Sequence, residues 1–132
     1  MELKNKNQKT PRIKVIQKLY SHSINPDQVI LFNNGQYKKF IKDVVLGTIE
    51  RNDLIVDTVN QLLGSDINLK RTDKLLKIIL FAAIFELLFK HNNTIGVIIG
   101  EYLKTSEFFL EKAQVKYLNA ILDKISKLIR KS

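Results

Sequence analysis

The chain is expected to fold as an all-α protein, and three observations predict it. Apolar residues recur at i, i+3, i+4 spacing through most of the sequence, no stretch alternates with period two long enough to demand a strand, and only two prolines and five glycines interrupt 132 residues. With 45% hydrophobic and 27% charged residues the composition is that of a globular helical protein. That length suits one domain, 1–132, and the natural subdivision is two helical halves, about 1–63 and 64–132, expected as two small bundles packed together from six to seven helices.

The first nine residues, polar and rich in Lys and Asn, are expected as a flexible basic tail. A helix should begin at Thr10-Pro11, since Thr is a good N-cap and Pro at the first helical position loses no hydrogen bond. Ile13, Ile16, Leu19 and Tyr20 then form the packing side, and Arg12, Lys14 and Lys18 are assigned to other faces. Asn25-Pro26-Asp27 and Asn33-Asn34-Gly35 are turn signals around the short run Val29–Phe32.

A second helix is predicted from Gln36 to Glu50 on Tyr37, Phe40, Ile41, Val44, Val45 and Thr48, and a third from Asp53 to Leu63, with Asp53 as cap and Gly64 as stop. Arg71-Thr72-Asp73 opens a fourth that runs to about Lys90. Thr94 caps a fifth from Ile95 to Phe108. The sixth spans Lys112 to Arg130, with a break expected near Tyr117. The most apolar run, Leu75 to Phe89, contains Lys77 and Glu86 and falls short of the roughly 20 apolar residues of a membrane span, so it is expected to be a buried core helix.

The absence of cysteine excludes disulfides, thiolate nucleophiles and cysteine-ligated metal, and no apolar segment follows Met1–Lys9, so a cytoplasmic chain is expected. The net charge of +9 is unevenly placed. Residues 1–22 carry six Lys or Arg against one acid, residues 112–132 carry six against one, and the interior is nearly neutral. Such ends suit a polyanion, whose counterions are released on binding. The eighteen Lys against four Arg also suit a compositional bias on solvated helix faces, and charge alone leaves both open.

Chemistry is sparse. His22 and His91 stand far apart at helix ends, where imidazoles usually complement the dipole, and no set of ligands with metal-binding spacing or Gly-rich phosphate loop occurs. Glu86 and Glu101 sit in apolar segments where an unpaired charge is costly. For Glu86 the plain alternatives are an i, i+4 ion pair with Lys90 or an anchor for a cation of another protein. Without nucleophile, pocket or cofactor signature, no catalytic residue, metal or cofactor is expected, and the chain is not expected to be an enzyme.

Several spaced segments resemble one family. Arg12-Ile13-Lys14-Val15-Ile16-Gln17-Lys18-Leu19-Tyr20-Ser21 resembles the opening helix of the NusB family of bacterial transcription antitermination factors, and Val45-Leu46-Gly47-Thr48-Ile49 its second helix ending. Arg71-Thr72-Asp73, continued by Ile79-Leu80-Phe81-Ala82-Ala83-Ile84-Phe85-Glu86-Leu87, is similar to its central R-x-D…I-L-R-x-A-x-Y-E-L segment. Val97-Ile98-Ile99-Gly100-Glu101-Tyr102 resembles V-V-I-N-E-Y, and Lys116-Tyr117-Leu118-Asn119-Ala120-Ile121-Leu122-Asp123-Lys124 resembles K-F-V-N-G-V-L-D-K. The resemblance runs in order from about Lys9 onward.

What it implies is an all-helical binding protein that takes the boxA element of ribosomal RNA leaders together with NusE, the small-subunit ribosomal protein, and supports transcription by the elongation complex without catalysis. Carried over by position, the RNA contacts would be Lys9, Arg12, Lys116 and Tyr117, and the NusE-facing residues Tyr20 and Glu86. The two basic ends would then converge into one RNA surface. Here the family's arginine-rich start is thinned to Lys9, Thr10, Pro11 and Arg12, Thr94 replaces a proline and Gly100 an asparagine. A homodimer stays open, as do two other functions: an accessory module of a ribosomal RNA cytosine methyltransferase, which requires a catalytic segment beyond Ser132, and a helical adaptor that binds no RNA.

Overall fold

A computed structural model of the chain describes residues 10–130. Within them lie six α-helices and one short 3₁₀ turn, with no strand among the described residues. They are α1 (Pro11–Ile24), α2 (Lys38–Glu50), α3 (Asn52–Leu63), α4 (Lys74–Phe89), α5 (Ile95–Ser106) and α6 (Lys112–Ile129), with the 3₁₀ turn at Leu69–Arg71. The fold is all-α. The helix limits expected from periodicity hold within about two residues, and α6 runs unbroken past Tyr117.

Helix α4 organises the rest. Ten of its sixteen residues are buried, and they point in every direction around the axis, as suits a helix enclosed by others. Each of the other five helices packs against it, so one continuous core draws buried residues from all six. None of the described helices is long and apolar enough to cross a membrane. The closest approach is with α2, where a Cβ placed on Gly47 would run into the Phe85 ring. Glycine is needed there because the two helices leave no room for a methyl group.

Local chemistry sets the helix ends. Helix α1 opens with Pro11 in its first turn, and the Ile13 amide donates to the Thr10 carbonyl at 3.1 Å. The Asp73 carboxylate accepts from the Leu76 amide at 3.1 Å and the Thr94 hydroxyl from the Val97 amide at 3.2 Å, so both act as N-caps. Asp53 instead lies inside the first turn of α3. Gly64 follows α3 in ordinary right-handed geometry, with φ −57°, and the turn closes by bonds from the Asp66 and Ile67 amides back to the Leu63 carbonyl. Between α1 and α2 the chain makes two turns, closed by the Gln28 amide on the Asn25 carbonyl at 3.1 Å and the Lys38 amide on the Gly35 carbonyl at 3.2 Å. Ile30 and Phe32 pack inward, and Lys18 ties the segment to α1 by donating to the Leu31 carbonyl at 2.7 Å.

Candidate functional site

The residues singled out in the sequence fall into two regions at the two ends of α6. Lys9 lies outside the described residues. Arg12, in the first turn of α1, is not at the surface: it is 7% exposed, and its guanidinium forms a two-pronged bond to the Glu86 carboxylate of α4, Nε to Oε2 at 2.9 Å and Nη2 to Oε1 at 2.7 Å. The fork geometry matches the carboxylate edge, which a lysine could not do. Arg12 also lies 4.7 Å from the Phe40 ring centre and 5.4 Å from that of Tyr102.

Glu86 is fully buried, and this corrects its expected position on a partner-facing surface. Its carboxylate accepts from Arg12, from the Tyr102 hydroxyl of α5, and from Asn93 Nδ2 at 3.3 Å, so its acceptor sites are filled within the chain. The cation it anchors belongs to the same molecule. Lys90, its expected i, i+4 partner, turns instead to Asp43 of α2 at 3.3 Å. Glu101 approaches Arg12 Nη1 at 3.9 Å from the rim.

Electrostatics in this cluster follow from burial. Desolvation works against the Arg12 charge, but the hydrogen bond and the charge of Glu86 outweigh it and hold the guanidinium's pKa above its ordinary value. Burial, with the neighbouring Glu86 charge, pushes the Tyr102 hydroxyl well above the usual tyrosine range. Tyr102 is therefore a neutral donor to the Glu86 carboxylate, and Arg12 remains charged.

Arg130, just beyond α6, completes the region. It donates to the carbonyls of Leu87 at 2.8 Å, Asn93 at 2.6 Å, Lys90 at 3.1 Å and Glu86 at 3.2 Å, tying the C-terminal end of α4 to the turn that follows it. The two basic ends of the sequence thus do meet, but through Arg12 and Arg130 on either side of Glu86. Their guanidinium groups are engaged by the protein itself. Neither Arg130 nor Asn93 was expected from the sequence; the only available sign was a basic residue at the close of a helix.

The second region lies roughly 20 Å away along α6, at 1.5 Å per residue over fourteen residues. Lys112 and Lys116 share one face at i, i+4, and both are exposed. Beside them the Tyr117 ring is 40% exposed, and its hydroxyl donates to the Asp66 carbonyl in the α3–α4 connection at 3.2 Å. Farther along, Lys124 pairs with the Asp66 carboxylate at 2.7 Å. Among the described residues no carboxylate pairs with Lys112 or Lys116. The expected joining of this step to the first helix is not what the chain does, because α6 holds Arg12's neighbourhood and Lys116 at opposite ends. Tyr20 stands apart from both: it is 37% exposed, with the Lys74 ammonium 5.9 Å from its ring centre.

Among the described residues no group of three His, Cys, Asp or Glu side chains could hold a metal ion. Comparison with known proteins adds a decisive observation: the NusB family model matches residues 5–127, nearly the whole chain. The chain belongs to the NusB family. It is 30% identical over 92 residues to the transcription antitermination protein NusB of Mesorhizobium japonicum, covering 70% of this chain and 59% of that one. It is 27% identical over 126 residues to the same-named protein of Sphingopyxis alaskensis, covering 92% and 82%. With that of Allorhizobium ampelinum the identity is 33% over 91 residues, covering 69% and 57%. The matched stretch therefore spans less than two thirds of the first and third relatives. No solved structure matches the chain.

Proposed function

We propose that this NusB-family chain is a transcription antitermination factor that acts by binding, taking up a single-stranded boxA-type RNA together with the ribosomal protein NusE. The observation that carries the RNA half is the Lys112–Lys116–Tyr117 face of α6. Two exposed ammonium groups free of carboxylate partners stand on the same half of α6 as a partly exposed aromatic ring, the groups that phosphate neutralisation and base stacking on unpaired RNA require. The bond from the Tyr117 hydroxyl to Asp66 holds the ring in place before RNA arrives, so less order is lost on binding.

In this reading Lys116 and Tyr117 touch RNA directly, with Lys9 as a further phosphate contact. Arg12 and Glu86 serve from inside, fixing α1 against α4 so that Tyr20 presents its ring to NusE. Lys14, exposed on α1, adds positive field for the polyanion.

The test is fluorescence anisotropy of a labelled boxA-like RNA with and without NusE, across a salt series. Binding should weaken with salt, strengthen with NusE, and exceed binding to a scrambled RNA. Equal affinity for both RNAs under every condition would sink the proposal, and binding of neither would favour a helical adaptor.

A further inference from the structure

A cleft of about 760 Å³ opens between α1, α2, α3 and the start of α4, and neither Arg12 nor Glu86 lines it. Its walls are apolar: Leu19 from α1, Ile49 from α2, Val56 from α3, and Ile78 and Phe81 from α4. That size and lining are typical of small-molecule sites.

Two residues of the cleft lining each carry a buried side-chain polar atom without a hydrogen-bond partner, the Thr48 hydroxyl and His22 Nδ1. Thr48 is only 5% exposed. A helical threonine hydroxyl commonly turns back to the carbonyl four residues earlier, as Thr58 does to Leu54 at 2.8 Å and Thr105 to Glu101 at 2.9 Å. Thr48 makes no such bond and lines the cleft instead. A buried hydroxyl left this way is costly unless something fills the space beside it.

The mouth carries Lys70, Lys74 and Lys77, and no carboxylate lines the cleft. None of the three makes an ion pair among the described residues. All three gather at the N-terminal end of α4, a sixteen-residue helix whose dipole already makes that end positive. The Asp73 carboxylate caps that end but pairs with none of the three ammonium groups, which repel each other. An anion at the mouth would relieve that repulsion.

We propose that this cleft binds a small amphipathic anion, an aromatic or branched apolar body carrying one carboxylate or phosphate, with the body between Val56 and Phe81 and the head group among Lys70, Lys74 and Lys77. The site needs neither RNA nor NusE.

The experiment uses 2-naphthoate and 2-naphthyl phosphate as anionic probes and 2-naphthamide as the neutral counterpart, titrated calorimetrically, with the His22 ring signals followed by NMR. At least one anion is expected to bind one to one at micromolar to sub-millimolar concentration, shift His22, and bind at least tenfold tighter than the amide. The tighter of the two names the head group. The double variant Lys74→Gln/Lys77→Gln should lose tenfold or more towards the anions while its thermal midpoint holds or rises, since repulsion at the helix end is relieved. Val56→Phe should block all three probes. No saturable binding of either anion at millimolar concentration, equal binding of the amide, or retention of anion affinity in a folded Lys74→Gln/Lys77→Gln protein overturns the proposal.

Discussion

At the C-terminal end of α4 the chain keeps its cations inside, and on the first half of α6 it leaves them out. Arg12 and Arg130 bring forks of fixed geometry to a buried carboxylate and four backbone carbonyls, whereas Lys112 and Lys116 stand beside the Tyr117 ring without a carboxylate partner. The division follows the chemistry of the two side chains. Guanidinium is weakly hydrated and planar and tolerates burial against a carboxylate; ammonium is strongly hydrated and stays in water. Of the four arginines, Arg51 is also engaged, with its guanidinium carbon 4.9 Å from the Phe89 ring centre. The net charge available to a polyanion is therefore carried mainly by lysines, and a count of basic residues overstates it where the arginines are concerned.

The comparison breaks most sharply at Glu86. Glu86→Gln preserves shape but leaves the buried Arg12 charge with only Glu101, 3.9 Å away at the rim, as counter-charge, and removing one member of such a pair typically costs about 3–5 kcal/mol. Urea unfolding should show that loss. Replacing both members, Arg12→Met with Glu86→Leu, should recover much of it. A Glu86→Gln protein as stable as the wild type would mean that the pair does not hold α1 to α4.

Arg12→Lys is the next in size. Charge is kept, but the second prong and the flat contact with Phe40 and Tyr102 are lost, so a stability loss of about 1–3 kcal/mol is expected, in the range of a charge-assisted hydrogen bond. If Arg12 were instead a phosphate contact, this variant would keep its stability and nearly all of its RNA affinity. Unfolding and RNA anisotropy on the same preparation separate the two.

Tyr117→Ala probes the outer region and should reverse the pattern. Stacking on a single base is worth about 1–3 kcal/mol, so RNA affinity should fall accordingly, while stability changes by less than about 0.5 kcal/mol at so exposed a site. Tyr117→Phe keeps the ring and should retain most of the affinity. A matching loss of stability and RNA binding in Tyr117→Ala would show that the ring is structural.

How far these two regions were legible in the sequence differs for a physical reason. Helix limits were, because α1, α2 and α3 each present one apolar stripe to α4. The position of Arg12 was too, in principle: it stands three, four and seven residues before Val15, Ile16 and Leu19, so it shares their buried stripe. Its partner was not. Glu86 lies 74 residues away, and an isolated charge in an apolar helix shows that a partner exists without showing which. Arg130 was harder still, since its bonds go to backbone carbonyls, which any sequence provides. The cleft above α4 was illegible because its openness depends on how four segments pack, and Thr48 looks like any residue of an apolar stripe.

The smallest expected effect is at Asp43, which shows how the chain treats a lysine when it does pair one. Asp43 accepts from Lys39 at 2.9 Å and from Lys90 at 3.3 Å, and the hydrogen bond from Lys39, aided by Lys90, holds its carboxyl below the ordinary 3.8. A folded-state pKa below the unfolded one means that the stabilisation is present at neutral pH and is lost as the pH falls below 3.8 through the folded value. Because all three side chains reach water, Asp43→Asn should cost at most about 1 kcal/mol at pH 7 and less in high salt. The difference between variant and wild type, followed by urea unfolding from pH 7 downwards, should shrink towards zero on the acid side. A difference that stayed constant with pH and salt would mean that Asp43 acts by packing rather than by its charge.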